Sequence, residues 1–159
     1  MFLGEHSHSL DAKGRLILPA RFRDQLESAF VTSEVDGCLA LWPPAEFEGR
    51  SQEMKAKWRG STAERNQARV FFAGAVDASP DKQGRVAIPA PLRDFAHLSR
   101  DVAVTGAWDH VEIWDAATWQ EKKRSGELGL AGDGSDSAVP SDSAVPSDAS
   151  LPSDSSSGN

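Results

Sequence analysis

The amino-acid sequence predicts an α+β fold, mainly β, in which one small module occurs twice in tandem and precedes a disordered tail. The first observation behind this prediction is an internal repeat, since Asp-Ala-Lys-Gly-Arg at residues 11–15 returns as Asp-Lys-Gln-Gly-Arg at residues 81–85. The second is a low-complexity stretch at residues 135–152, where SDSAVP occurs twice and SDASLP once. The repeat indicates a duplicated folding unit, and the hexads indicate a segment without a core.

The repeat extends well beyond the two motifs. Residues 16–20 (LILPA) correspond to residues 86–90 (VAIPA), and residues 22–24 (FRD) correspond to residues 92–94 (LRD), each 70 positions later. Residues 39–42 (LALW) correspond to residues 111–114 (VEIW) at an offset of 72, as if a loop had gained two residues. Two short motifs could agree by chance, but agreement over this length indicates a duplication.

The Asp-x-x-Gly-Arg motif predicts a tight turn between two strands. Aspartate suits the first position of a type I turn, and glycine permits the positive φ with which a bulged hairpin rejoins its strand. We therefore expect each copy to open with a β-hairpin. Its turn is supported by Asp11 and Gly14 in the first copy and by Asp81 and Gly84 in the second.

Each hairpin leads into a short helix and two further strands. Pro19 and Pro89 end the second strands, at residues 15–18 and 85–88, and suit the first turn of helices predicted at residues 20–26 and 90–96. The later strands are expected at residues 29–33 and 39–42 in the first copy and at residues 102–105 and 111–114 in the second. Asp36-Gly37 lies between the two later strands of the first copy and is typical of a hairpin turn.

These elements divide the chain into four parts. We predict a first module at residues 1–48, a helical connector at 49–70, a second module at 71–125 and a disordered acidic tail at 126–159. The connector follows from a helical pattern over residues 43–68, which includes the capping-box sequence STAE at 61–64.

A module of roughly 45 residues is too small to bury a core of its own. We therefore expect the two modules to form an intrachain pseudo-dimer around one shared core. Six apolar residues are expected to be buried in it: Leu16, Leu18, Leu41, Val86, Ile88 and Ile113.

The net charge of −7 is distributed unevenly along the chain. Six of the 24 acidic residues and none of the 17 basic residues lie at 126–159, so residues 1–125 carry 18 acids against 17 bases. Any nucleic-acid-binding face must therefore be a local basic patch. The tail is rich in Ser, Asp and Pro, and this composition cannot bury enough apolar surface to fold.

The sequence also limits the compartment and the class of activity. A single cysteine, Cys38, leaves no disulfide framework, and the sequence contains neither a signal-peptide pattern nor an apolar run of membrane-spanning length. We therefore expect a cytoplasmic protein with no membrane partner. The sequence contains no phosphate-binding glycine loop, GxSxG, HExxH or CxxC pattern, which argues against an enzyme and against a bound cofactor.

The candidate binding residues are the arginines that follow the two turns. Arg15 and Arg85 would each leave a stiff hairpin tip, and a β-ribbon carrying such an arginine can enter the major groove and pair with guanine, or hold a phosphate. Positive charge nearby comes from Lys13, Arg21 and Arg23 in the first copy and from Lys82 and Arg93 in the second. The simpler interpretation is a surface ion pair between each arginine and the aspartate four positions earlier. Because the whole motif, with the strand and helix that follow it, occurs in both copies, a binding role is favoured over this interpretation.

These motifs resemble the MraZ family of bacterial regulators. The resemblance covers residues 1–119 and rests on MFLGEHSHSLDAKGRLILPARFR at 1–23 and DKQGRVAIPAPLRDFAHL at 81–98. It implies two tandem AbrB-like modules with the swapped-hairpin β-barrel fold, assembled into ring-shaped homo-oligomers. It also implies a nucleoid-associated regulator that binds double-stranded DNA at direct repeats in the promoter of its own division and cell-wall gene cluster.

The motif residues of the family can be matched to individual positions of this chain. Arg15 and Arg85 match the motif arginines of the family, and Asp11 and Asp81 match its motif aspartates. The second copy departs from the first at residue 91, where a proline stands in the place that corresponds to residue 21. This difference indicates that the two copies contribute unequally to DNA binding.

Several other residues have competing interpretations. His6 and His8 would share one face of a strand, but no third metal ligand is present in the motif, so solvent-exposed histidines without metal are favoured. For Cys38, a packed small side chain is favoured over a nucleophile. Trp42 and Trp114 are equivalent in the repeat, which favours core or interface packing over base stacking.

The basic stretch at residues 50–69 is expected to be a solvated helix face, with DNA-backbone contact or a subunit interface as alternatives. The alternative to a DNA-binding regulator is a structural or adaptor ring that binds a protein partner through its hairpin arginines.

Overall fold

The computed structural model describes residues 1–132 of the chain. The strands are β1 (Glu5–Ser9), β2 (Arg15–Ile17), β3 (Phe30–Ser33), β4 (Leu39–Trp42), β5 (Val76–Asp77), β6 (Arg85–Ala87), β7 (Asp101–Gly106) and β8 (Val111–Asp115). The helices are α1 (Ala20–Arg23), α2 (Pro44–Ala56), α3 (Thr62–Gly74), α4 (Ala90–Phe95) and α5 (Ala116–Leu130). The predicted α+β class, with antiparallel sheets and short helices, is confirmed, but the helices contain more residues than the strands, so the described chain is not mainly β.

The sheets are built from strands of both repeats. Six strands form one antiparallel sheet in the order β1-β7-β8-β4-β3-β5, and β2 and β6 form a separate two-stranded antiparallel ribbon. The first strand of each copy pairs with the other copy, because β1 lies against β7 and β5 lies against β3. The prediction that each Asp-x-x-Gly turn joins two paired strands is therefore wrong. Each strand that flanks a turn forms its hydrogen bonds with a strand of the other repeat instead.

The hydrophobic core draws on both repeats. All six residues that we expected to be buried are at most 1% exposed and belong to one continuous cluster. In β2 and β6 the central residues, Leu16 and Val86, point into this cluster, whereas their neighbours along the strand stay partly or fully exposed. This alternation orients the ribbon, since a strand with one buried face must turn its other face to solvent.

The connector forms a helical hairpin that begins at Pro44 and ends at Gly74, beyond the limits of 49 and 70 that we predicted. A 3-10 turn at Lys57–Arg59 separates α2 from α3. The predicted capping box is confirmed, because Ser61 Oγ accepts the Glu64 N–H and Glu64 Oε2 accepts the Ser61 N–H. A bidentate ion pair anchors α2 to the main sheet, with Arg50 Nη2 2.6 Å from Glu34 Oε2.

Helix α5 was not predicted. It begins where Asp115 Oδ2 accepts the Thr118 N–H, and it runs to Leu130. Ion pairs from Lys122 to Asp36 and from Lys123 to Glu5 hold it across the sheet. The prediction of disorder from residue 126 onward is therefore wrong for residues 126–130, and the hexad repeats lie outside the described residues.

Candidate nucleic-acid interface

The β2–β6 ribbon presents one outward face to solvent. In its antiparallel register Arg15 lies opposite Ala87, and Ile17 lies opposite Arg85. These four residues alternate with the buried pair Leu16 and Val86, so they share the outer face. Arg15 and Arg85 are therefore diagonal neighbours, with Cα atoms about 7–8 Å apart by standard strand geometry.

The turn before β2 holds Arg15 in one orientation. Asp11 Oδ1 accepts the backbone N–H of Lys13 and of Arg15, both at 2.9 Å, and Asp11 Oδ2 accepts Arg15 Nε–H at 2.7 Å. The backbone hydrogen bond from Arg15, followed by its side-chain hydrogen bond, holds the pKa of the Asp11 carboxyl below its usual value. The surface ion pair considered as the simpler interpretation is thus present. It uses Nε, and within residues 1–132 the two Nη nitrogens of Arg15 donate to no other residue.

The turn before β6 repeats this geometry. Asp81 Oδ1 accepts the backbone N–H of Gln83 at 2.9 Å and of Arg85 at 3.0 Å, while Asp81 Oδ2 accepts Arg85 Nε–H at 2.8 Å. The glycine of each turn has the positive φ that we predicted, 73° at Gly14 and 76° at Gly84. One ribbon therefore carries two arginines oriented by the same set of contacts.

Each turn is covered by an arginine of the other repeat, Arg93 or Arg23, which the sequence indicated only as added positive charge near the turns. Arg93 Nη1 donates to the Ile88 carbonyl at 2.6 Å, and its guanidinium covers Gly14 so closely that a Cβ there would lie 1.7 Å from Nη1. Arg23 covers Gly84 in the same way and donates to the Leu18 carbonyl at 2.9 Å. The available signal was that both arginines stand at equivalent positions in the repeat.

The remaining predicted site residues are placed less symmetrically. Lys13 and Lys82 are exposed on the two turns, so each turn carries two bases and one acid. They occupy different turn positions, because Lys82 corresponds to Ala12 in the first copy. Arg21 is exposed on α1, but its Nη1 lies beside Gly4, at the end of β1 opposite to the Asp11 turn. The structure thus brings Lys13, Arg15, Lys82 and Arg85 to the ribbon and leaves Arg21 at a distance.

Comparison with known proteins assigns the chain to a family. A family model described as "MraZ protein, putative antitoxin-like" matches residues 1–70 and again residues 71–129. The chain belongs to the MraZ family. A relative from Frankia alni, named "Transcriptional regulator MraZ", is 49% identical over 132 residues, which cover 82% of this chain and 92% of the relative. Relatives of the same name from Salinispora arenicola and Clavibacter michiganensis are 50% and 46% identical, over 76% and 88% of this chain and 85% and 98% of their own lengths.

In this member of the MraZ family, the other candidate residues have structural roles. Cys38 is 1% exposed, and burial raises the pKa of its thiol far above the usual value, as expected for a packed side chain. Trp42 and Trp114 are buried, and Trp42 stacks on His110 with ring centroids 4.2 Å apart. Packing is therefore confirmed over base stacking for both tryptophans.

Two further observations concern the described part of this MraZ-family chain. Among residues 1–132, no three His, Cys, Asp or Glu side chains come together in an arrangement that could hold a metal ion. Instead, His6 packs edge-on against Phe22, with ring centroids 5.2 Å apart. In the same residues no helix has both the length and the apolar character needed to cross a membrane.

Proposed function

We propose that this protein is a transcriptional regulator that binds double-stranded DNA sequence-specifically through the outer face of the β2–β6 ribbon. The observation that carries the proposal is the matched pair Arg15 and Arg85, each oriented by its own turn aspartate on one exposed two-stranded ribbon. Membership of the MraZ family, whose similar members are named transcriptional regulators, supports the same function.

The proposed recognition follows from the free atoms of the two guanidinium groups. A two-stranded ribbon fits the major groove, where the Nη nitrogens of an arginine can pair with guanine O6 and N7. Ile17, 51% exposed on the same face, can contact a thymine methyl group. The diagonal spacing of Arg15 and Arg85, about 7–8 Å, corresponds to about two base-pair steps of 3.4 Å. Lys13 and Lys82 are suited to the flanking phosphates.

The finer description of the fold and assembly is also a proposal. The exchange of first strands between the repeats and their common core support an intrachain pseudo-dimer of AbrB-like swapped-hairpin modules, at about residues 1–48 and 71–125. We propose that such chains form a ring and bind direct repeats upstream of their own division and cell-wall gene cluster. A regulator of this kind acts in the cytoplasm, on the nucleoid, and needs neither catalysis nor a cofactor.

A second candidate is an adaptor ring that binds a protein partner through the same face. Two observations favour it: the large apolar side chain of Ile17 at the centre of the ribbon, and the carboxylates that already neutralise part of the charge of Arg15 and Arg85. Arginine is enriched at protein–protein interfaces and among the residues that contribute most to binding.

Gel shift and fluorescence anisotropy with DNA from upstream of the gene's own coding sequence distinguish the two functions. Arg15→Ala should weaken binding to the intact repeats by about 1–3 kcal/mol per contacting subunit and leave binding to scrambled repeats unchanged. Arg85→Ala should weaken this binding less than Arg15→Ala does, because the second copy has an uncharged proline at position 91. Lys13→Ala should weaken binding to all sequences and lower the salt slope by about one unit.

The control is Lys55→Ala, which removes an exposed base from α2 rather than from the ribbon. Wild-type binding should fall steeply with salt, because counterion release drives phosphate contacts. If Arg15→Ala binds the intact repeats as tightly as the wild type does, the ribbon is not the recognition element and the adaptor function becomes the better proposal.

A further inference from the structure

The helical hairpin formed by α2 and α3 carries an excess of positive charge that the proposed function does not use. Residues 50–69 contain six bases and two acids. Arg50 is paired with Glu34 and Glu53, and Glu64 belongs to the capping box. The other five bases lie around the end of the hairpin, and we call them the basic tip: Lys55, Lys57, Arg59, Arg65 and Arg69. Within residues 1–132 none of these five forms an ion pair.

An exposed aromatic ring lies at the centre of the basic tip. Trp58 is 40% exposed, and the guanidinium of Arg69 lies 5.3 Å from its ring centroid. A hollow of about 400 Å³ adjoins the indole, and its lining includes Lys55 and Arg59. Both of these side chains are exposed, and they donate no hydrogen bond to any residue of the described chain. The hollow therefore offers cations beside an aromatic wall, which suits a segment that has both carboxylates and apolar side chains.

The hairpin and the ribbon lie on opposite sides of the main sheet. Val31 of β3 belongs to the core that Leu16 and Val86 of the ribbon also enter. The neighbouring Phe30 points to the other face of the sheet, where it stacks on Phe47 of α2 with ring centroids 4.4 Å apart. The sheet and its core therefore separate the basic tip from DNA held on the outer face of the ribbon.

Helix α5 lies on the same side of the sheet as the hairpin. Ala103 of β7 and Trp114 of β8 cluster with Trp119 of α5. Their neighbours along the strands, Val104 and Ile113, enter the core on the other face. The chain that follows α5 therefore starts from the side that carries the basic tip.

The chain beyond α5 is long enough to reach the basic tip. Lys122 of α5 pairs with Asp36 at 3.3 Å, and Asp36 lines the same groove as Lys57. From Lys122 to Gly132 the chain advances about 15 Å at the rise of a helix. A further 27 residues follow Gly132. A chain of that length spans about 30 Å when flexible and about 90 Å when fully extended.

The composition of these 27 residues is complementary to the basic tip. We call residues 133–159 the hexad segment. It contains no lysine or arginine and five aspartates, which are Asp133, Asp136, Asp142, Asp148 and Asp154. In each complete hexad an aspartate stands three positions before a valine or leucine that is followed by proline. Arginine clusters bind acidic motifs, and aromatic surfaces bind proline-containing segments, so the hexad segment has both features that the hollow at Trp58 accepts.

We propose that the hexad segment docks on the basic tip, with its aspartates against the bases and its apolar side chains against Trp58. Exposed ion pairs are individually weak, but a tethered segment has an effective concentration on the order of millimolar, so several of them act together. The docked segment covers bases that would otherwise hold the phosphates of any DNA sequence, and it confines DNA binding to the ribbon. Only this last consequence rests on the proposed function.

Cross-linking of the full chain with a water-soluble carbodiimide tests the docking directly. The reagent joins a lysine amine to a carboxylate in contact with it, and mass spectrometry identifies the linked peptides. We expect the aspartates of the hexad segment to link to Lys55 and Lys57, and to do so more often than to Lys13 and Lys82, the exposed lysines of the ribbon turns. These links should become fewer as salt rises, because salt screens exposed charges.

Two charge reversals form a matched pair for this experiment. Arg59→Glu changes an exposed residue of the basic tip and leaves both of its lysines available, so the links to Lys57 should fall by about threefold or more. Arg124→Glu changes an exposed residue of α5 outside the tip and should leave them unchanged. The docking is overturned if the hexad segment links mainly to Lys13 and Lys82 or to no lysine of the tip. It is also overturned if the two reversals have the same effect.

Binding to DNA with scrambled repeats tests whether the hexad segment covers the tip. Truncation after Gly132 should tighten this binding by about tenfold at low salt and steepen its salt dependence by about 0.9 unit for each phosphate gained. The double variant Lys55→Glu/Arg59→Glu should remove that gain from the truncated chain and have no effect on the full chain. If the gain persists in the double variant, the segment acts by general repulsion and the proposed cover is wrong. If the double variant weakens binding by the full chain as well, the tip is an open DNA surface and the proposal is overturned.

The two assays distinguish a failure of this inference from a failure of the proposed function. Links between the hexad segment and the tip in a chain that binds no DNA would retain the docking and refute the proposed function. Arg15-dependent DNA binding by a chain without such links would retain the proposed function and refute the docking.

Discussion

The close approach of Arg93 to Gly14 provides a sharp test of how the two repeats support one another. The substitution Gly14→Ala places a methyl group where Arg93 Nη1 now lies, since the added Cβ would be 1.7 Å from that nitrogen. The guanidinium must move, and its 2.6 Å hydrogen bond to the Ile88 carbonyl is lost. The new alanine must also keep a φ of 73°.

Both costs can be estimated. Left-handed backbone costs a non-glycine residue about 1–2 kcal/mol. A hydrogen bond from a charged donor contributes about 1.5–3 kcal/mol. Gly37 supplies a matched control, because its φ is 83° and nothing lies within 4 Å of an added Cβ. Gly37→Ala should therefore lower the free energy of unfolding by about 1–2 kcal/mol, and Gly14→Ala by about 1.5–3 kcal/mol more than that.

A double-mutant cycle with Arg93→Ala isolates the contact. Urea unfolding of the wild type, of the two single variants and of the double variant should give a coupling free energy of about 1.5–3 kcal/mol, within the range known for contacting residues. Gly14→Ala should cost only the backbone term when Arg93 is absent. The reasoning fails if Gly14→Ala is no more destabilising than Gly37→Ala, or if its cost is the same with and without Arg93.

Three further predictions concern other parts of the chain. Arg50→Ala should lower the free energy of unfolding by about 3–5 kcal/mol, because it leaves the buried Glu34 carboxylate with a hydrogen bond from Thr32 but without a counter-charge. Glu53→Ala removes only an exposed partner of Arg50 and should cost less than about 1 kcal/mol. Burial lowers the pKa of His110, but hydrogen bonds with two carboxylates outweigh this effect and raise it. The stability that these contacts contribute is complete below the unfolded pKa of about 6.5 and is lost as pH rises through the higher folded pKa, so thermal melting should show this loss in the wild type and not in His110→Gln. Truncation after Gly132 should leave the melting temperature unchanged and tighten DNA binding at low salt, because it removes acidic residues without bases; weaker binding would contradict this.

Features governed by neighbouring residues were predictable from the sequence. The turns at Asp11 and Asp81, the positive φ of Gly14 and Gly84 and the helix starts after the two prolines depend on contacts a few residues apart. Strand β4 has the expected limits, whereas α1 ends at Arg23, three residues before the predicted end. Helix α5 was missed because it contains two glycines and no buried residue, so its sequence lacks an apolar stripe.

The sequence predicted most of the residues of the candidate site but not which strands pair to carry them. The sequence identified Arg15 and Arg85 and the aspartates that orient them, because each aspartate and its arginine lie within five consecutive residues. It placed each arginine on a hairpin of its own, whereas both lie on one ribbon formed by β2 and β6. It also grouped Arg21 with them, although that side chain extends toward Gly4.

The sequence by itself determined that the chain is a duplication, where each turn lies and which side chains the turns orient. Only the tertiary structure decided which strands pair, because β pairing depends on registers and partners far apart in the chain and every antiparallel partner offers the same backbone hydrogen bonds. The exchange of first strands and the position of each arginine over the glycine of the other repeat both follow from that pairing. These features depend on distances across the core, which no local pattern encodes.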